Sequence, residues 1–191
     1  MSTANSKTVR LTQLALLIAL EAVLFASPFG LINIPPVSIT IMHIPVVIAA
    51  ILLGPSAGAI LGASFGLMAL AKATLSATAP VDMLFSPFLS GNPLASLVMC
   101  LGARVLLGLT AAWVYIGLSR LLKKSLAIGI SAALATIVHS LSVLGCLWLF
   151  FSALPLRDVF AAIISLNCIL ETIAAVVVSV VVVTVLTIRT K

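Results

Sequence analysis

The chain has 191 residues, of which 63% are hydrophobic and only 7% charged, with a formal net charge of +6 and a mean hydropathy of +1.38. A composition this apolar fits an integral membrane protein and little else. No solvated basic patch with interleaved aromatics supports nucleic-acid binding. No segment alternates as the strands of a membrane barrel do, which leaves helices as the way to satisfy the backbone in lipid.

In chain order the apolar runs predict transmembrane helices over about 10–27, 38–53, 56–77, 94–119, 125–151 and 158–188. The expected fold is thus an all-α integral membrane bundle of six transmembrane helices, a single domain over 1–191 with no linker or soluble module. The first run has a basic flank (Lys7, Arg10) and ends in small residues (Ala26, Ser27), as a signal peptide would. The spans that follow favour a retained helix. Ala15, Ala19, Ala22 and Ala26 fall on one stripe of this helix, a surface that lets another helix approach closely, and Glu21 points about 130° away from it. The second run is short, starts ambiguously after Pro35-Pro36 and contains His43, expected near a helix end in reach of water. Gly54-Pro55 predicts a tight turn, and Gly58, Gly62 and Gly66 a close-packing seam on the third helix. That stretch lacks the Lys-Ser/Thr ending of a phosphate-binding loop, so no ATP-hydrolysing motif is visible.

Lys7, Arg10, Arg120, Lys123, Lys124, Arg189 and Lys191 fall on one side of a six-span bundle. The other side has Lys72, Asp82, Arg157 and Asp158. The asymmetry predicts that both termini are cytoplasmic. Cys100, Cys146 and Cys168 have no paired spacing and read as small core residues. With two distant histidines, a metal site is not expected.

Glu21, Arg104, His139, Asn167 and Glu171 interrupt apolar runs, where an ionisable group costs roughly 2.5–3.5 kcal/mol unless it is paired or lines a polar cavity. Arg104 lies eleven residues beyond Pro93, about 16 Å deep, and Glu171 about 20 Å beyond Asp158. Asn167 and Glu171 share a helix face. Arg104 has two readings, an ion pair with Glu171 or Glu21 and bidentate recognition of an anionic solute, and both can hold together. His139, taken alone, reads first as a hydrogen-bonded packing residue. Asn33 lies in the first outer connection, and the third, 76–93, carries Phe88 and Asn92. Trp148 lies near the fifth. Long connections of this kind act as lids. The expected substrate contacts are Asn33, Phe88, Asn92, Arg104, His139, Trp148, Asn167 and Glu171, with no catalytic residue.

Together, Ala15-x-x-x-Ala19, Met42-His43-Ile44-Pro45, Leu53-Gly54-Pro55 and Gly58-x-x-x-Gly62 in a six-span chain resemble the substrate-binding S components of energy-coupling factor vitamin transporters. The resemblance covers almost the whole chain. It implies a multi-pass subunit of the bacterial plasma membrane that takes a vitamin from outside and docks on a transmembrane coupling subunit through Ala15, Ala19 and Ala22. Such a subunit topples to deliver its solute. Two cytosolic ATPases, which carry the ATP and Mg2+, supply the energy. The stretch from Met42 to Gly62 looks like the pantothenate branch. A lone mid-membrane cation with nearby amide and imidazole groups suits pantothenate, which has a carboxylate, an amide and hydroxyls. Riboflavin, folate and pyridoxine-type vitamins stay open. A secondary transporter or channel would use Glu21 and Glu171 as coupling carboxylates. A membrane enzyme would need a constellation that the sequence does not offer.

Overall fold

The structure, a computed structural model, describes residues 3–27, 30–34, 37–77, 80–151 and 157–189. Its long helices are α1 (Thr3–Ala26), α3 (Pro55–Leu75), α6 (Ala103–Leu118), α7 (Lys124–Phe150) and α8 (Arg157–Arg189), joined by the shorter α2 (His43–Leu53), α4 (Pro80–Met83) and α5 (Pro93–Leu97). A π-helical turn, Val98–Gly102, fuses α5 to α6. Five helices among the described residues are long and apolar enough to cross a membrane, and α2 is a shorter apolar helix. The molecule is thus a membrane-type helical bundle.

One predicted boundary is corrected. The second span does not run as helix from residue 38. Leu31–Ile34 (β1) and Val37–Thr40 (β2) pair antiparallel, with Leu31 opposite Thr40 and Ile34 opposite Val37, and helix begins only at His43. The sequence explains this locally. The stretch is rich in β-branched residues on either side of Pro35-Pro36, which favour extended chain, and proline removes a helix donor. A bundle expected to be all-helical therefore carries a small hairpin ahead of α2.

The Gly54-Pro55 turn forms as the sequence predicts. Gly54 has φ +87°, a conformation that glycine adopts without Cβ strain, and Pro55 starts α3, where its missing N–H costs nothing. The glycine seam sets the bundle's centre. A Cβ on Gly58 would meet the Gly108 carbonyl oxygen at 2.8 Å, and one on Gly66 would meet the Cys100 oxygen at 2.7 Å. Between them Gly62 faces the backbone of Arg104. Each four-residue step along α3 is matched by a step back along α6 and its π turn, so the two helices run antiparallel in backbone contact. Such approach is possible only without side chains, and it carries helix association in lipid, where apolar burial contributes little. α2 is buried along nearly its whole length, against α3, α6 and α8.

α1 sits differently. Arg10 donates to the Leu53 carbonyl at 3.0 Å and to Ser56 Oγ at 2.7 Å, tying α1 to the α2–α3 turn. Glu21 is buried beside Ser64 of α3, although its oxygens reach no hydrogen-bond geometry. Ala15, Ala19, Ala22 and Ala26 are all exposed. The alanine stripe and the acid therefore lie on different sides of α1, one outward and one inward.

Candidate functional site

Most polar side chains in the long helices are satisfied locally. Thr74, Ser131, Thr136, Ser142 and Thr172 each donate to the carbonyl four residues back, at 2.6–2.9 Å. This bond satisfies a hydroxyl in an apolar helix without a tertiary partner. Against that background one cluster stands out, built from α2, α3, α6, α7 and α8.

Its centre is Arg104, buried on α6 two residues past the π turn. Nη1 donates to the Met99 and Cys100 carbonyls at 3.3 and 3.2 Å. These carbonyls belong to the π turn, a departure from α geometry often found at functional sites. The guanidinium carbon stands 4.8 Å from the ring centre of Phe65 and 5.7 Å from that of Phe85, within cation–π range. Phe85 is held there in part by the Cys100 thiol, which donates to its carbonyl at 3.4 Å. Nε has no partner.

The ion pair expected of Arg104 does not form: among the described residues its donors reach only backbone carbonyls. Glu171 is near enough for the two charges to interact, but its Oε1 accepts the backbone N–H of Thr40 at 2.8 Å. That bond joins α8 to the end of β2. Thr40 is itself a junction. Its hydroxyl donates to the Gly30 carbonyl at 3.3 Å and accepts from the Met42 N–H at 3.2 Å.

His139 of α7 is buried, its ring centre 6.1 Å from that of Phe65 and tilted by 40°. Electrostatically it senses both Arg104 and His43. Neither ring nitrogen has a hydrogen-bond partner, so the packing histidine expected from sequence is buried but not bonded. His43 differs more from expectation. It does not meet water at a helix end but is fully buried. Its ring approaches the Thr40 and Glu171 backbones without either contact reaching hydrogen-bond geometry.

The structure thus brings Arg104, His139 and Glu171 together and adds Phe65, Phe85 and His43, which sequence reasoning did not place there. Only the Met42–Pro45 motif hinted at His43. Phe65 carried no signal, because an aromatic residue in an apolar helix is ordinary. Three expected contacts lie elsewhere. Phe88 is 82% exposed and Trp148 68%. Asn92 is exposed and caps α5, accepting from the Ala95 N–H at 3.2 Å. The side chains of Asn33 and Asn167 lie outside the described residues. Among the described residues no group of three or more His, Cys, Asp or Glu side chains is placed to hold a metal ion.

Buried donors with open valences, set between aromatic rings, form a centre suited to holding a compact polar solute, with Arg104 ready for an anionic group. Comparison with known proteins agrees with a binding role. Residues 9–187 match the family model described as "ECF transporter, substrate-specific component". The chain is also 31% identical over 194 residues to the pantothenic acid transporter PanT of Lactococcus lactis subsp. cremoris (strain MG1363), covering 96% of each chain. The apolar helices and these matches make it a multi-pass protein of the bacterial plasma membrane. The chain belongs to the family of substrate-specific components of ECF transporters.

Proposed function

We propose that this chain captures pantothenate from outside the cell and hands it to an energised transport complex. The observation that carries the reading is Arg104, a buried cation within cation–π range of two aromatic rings, with Nε unpartnered and no acid bonded to it among the described residues. It occurs in a chain similar to a pantothenic acid transporter. Arg104 takes the solute's carboxylate. His139 and Asn167 bond its amide and hydroxyls, and Glu171 lies beside them. Asn33, Phe88, Asn92 and Trp148 form the outer rim under which the solute passes.

In this reading residues 1–191 act as one six-span unit, with α2 as the shortest span and both termini cytoplasmic, consistent with the distribution of Lys and Arg. The exposed stripe of Ala15, Ala19 and Ala22 docks on the transmembrane coupling subunit, and the bound solute is delivered by toppling. The chain itself performs no chemistry. ATP and Mg2+ act on two cytosolic partner ATPases. Native mass spectrometry of the purified subunit tests the solute: co-purified pantothenate is expected, and riboflavin, folate or a pyridoxine-type vitamin in its place would redirect the reading. The docking face is tested by Ala19→Trp. It should abolish transport with the partner subunits while solute binding by the isolated chain survives, and transport by the chain alone would sink the scheme.

A further inference from the structure

His43 is the most deeply buried imidazole in the cluster, with 0% exposure and neither ring nitrogen bonded. An imidazole in its neutral form offers one N–H donor and one acceptor nitrogen. Leaving both unused in an apolar interior costs the fold stability. The neighbouring hydroxyls on the long helices avoid that cost by bonding back to their own helix. A ring on the first turn of α2 has no such carbonyl within its own helix, and the nearby Thr40 and Glu171 backbones fall outside hydrogen-bond geometry, so a ligand can supply partners that the fold does not.

Its position is also fixed from both sides. Thr40, three residues earlier, is gripped by Glu171 of α8 at 2.8 Å. The Met42 N–H then closes onto the Thr40 hydroxyl at 3.2 Å. These bonds define where α2 starts, and therefore where its first side chain stands. His139 is near enough for the two imidazoles to interact electrostatically, and it shares with Arg104 the ring of Phe65, whose centre lies 6.1 Å from the His139 ring and 4.8 Å from the guanidinium carbon.

We infer that His43 is a specificity-determining ligand contact, which with His139 binds the hydroxyls of an organic anion whose carboxylate sits at Arg104. Glu171 acts as a positioning residue, holding His43 in register through Thr40. The inference rests on the capture reading above and sharpens it by adding His43, which that reading does not use, to the groups that recognise the solute's hydroxyls.

The test compares wild type, His43→Leu and His43→Gln, each as the full chain purified in detergent. Ligand-free thermal unfolding and calorimetric titration with pantothenate are both measured. A recognition group without a protein partner predicts that His43→Leu unfolds at or above the wild-type temperature, because an unsatisfied polar group has been replaced by an apolar one. The same variant should bind pantothenate about tenfold more weakly or worse. His43→Gln, which keeps a donor and an acceptor, should fall between.

Affinity of His43→Leu within twofold of wild type would overturn the inference. So would a lower ligand-free unfolding temperature in both variants, or failure of His43→Leu to fold, since each marks a structural histidine. Absence of pantothenate binding by wild type is a different result and defeats the pantothenate reading. The ligand-free comparison then still decides His43. Destabilisation by leucine removes it as a recognition group, and stabilisation assigns it to another hydroxylated anion.

Discussion

The 76–93 connection with the start of α5 and the centre around Arg104 both place polar side chains within an apolar chain, but the first bonds its buried hydroxyls and the second leaves donors open. At the end of the connection, the buried Ser96 hydroxyl of α5 lies 2.7 Å from both the Leu84 carbonyl and the Ser90 hydroxyl. Ser86 meets Thr74 at 2.9 Å and receives the Phe88 N–H. Asn92 caps α5. Around Arg104, by contrast, Nε and all four ring nitrogens of His43 and His139 are without hydrogen bonds. A satisfied network fixes a structure, whereas an unsatisfied one leaves interaction free energy that a solute can supply. Glu21, Ser179 and Thr184 also hold buried oxygens without hydrogen bonds and are not part of the cluster, so it is the gathering of such groups around Arg104 that separates site from scaffold, more sharply than burial, since Ser96 and His139 are both buried.

The largest effect belongs to the scaffold. Gly62→Val would drive a side chain into the Arg104 and Val105 backbone, whose nearest Cα stands 3.0 Å from a Cβ built there. Neither helix can yield without giving up the α3–α6 contact. Folded protein should be lost, read as disappearance of the monodisperse peak on size-exclusion chromatography. A folded, binding-competent valine variant would mean that the seam is looser than its geometry implies.

The connection gives a smaller effect of opposite character to that at the site. Ser96→Ala removes a satisfied hydroxyl and strands its partners, at a cost of about 1–3 kcal/mol. Thermal unfolding should therefore move down while solute affinity stays within about twofold. If affinity falls in step with stability, the connection belongs to the site and the division between the two regions collapses.

The sequence made part of this legible. Apolar runs marked the helices, and their ends fell close to the observed ones except at the hairpin and at the start of α1, which begins at Thr3 through a polar stretch that carries no apolar signal. The spacing of Gly58, Gly62 and Gly66 marked a close contact, but its partner was hidden, because a helix seam does not say which backbone faces it. Arg104, His139 and Glu171 were conspicuous as polar residues in lipid. The partner of Glu171 was not, since it is a main-chain N–H and any residue could have supplied it. The π turn has no signature in Val98–Gly102, yet it provides the carbonyls that Arg104 grips. His43 does stand at a helix end, as expected, but that end is buried and not in reach of water. The real α2 is short and enclosed by α3, α6 and α8, and β2 precedes it.

Calorimetric titration of wild type and Arg104→Gln with pantothenate and with its uncharged alcohol analogue tests the central claim most directly. Wild type should prefer the carboxylate. Arg104→Gln should lose about a hundredfold in pantothenate affinity, the order of a buried charged hydrogen bond worth ~3 kcal/mol. It should also bind the two compounds nearly alike while unfolding, ligand-free, close to wild type. An unchanged preference for the carboxylate would contradict the account and reduce Arg104 to a clamp on the π turn.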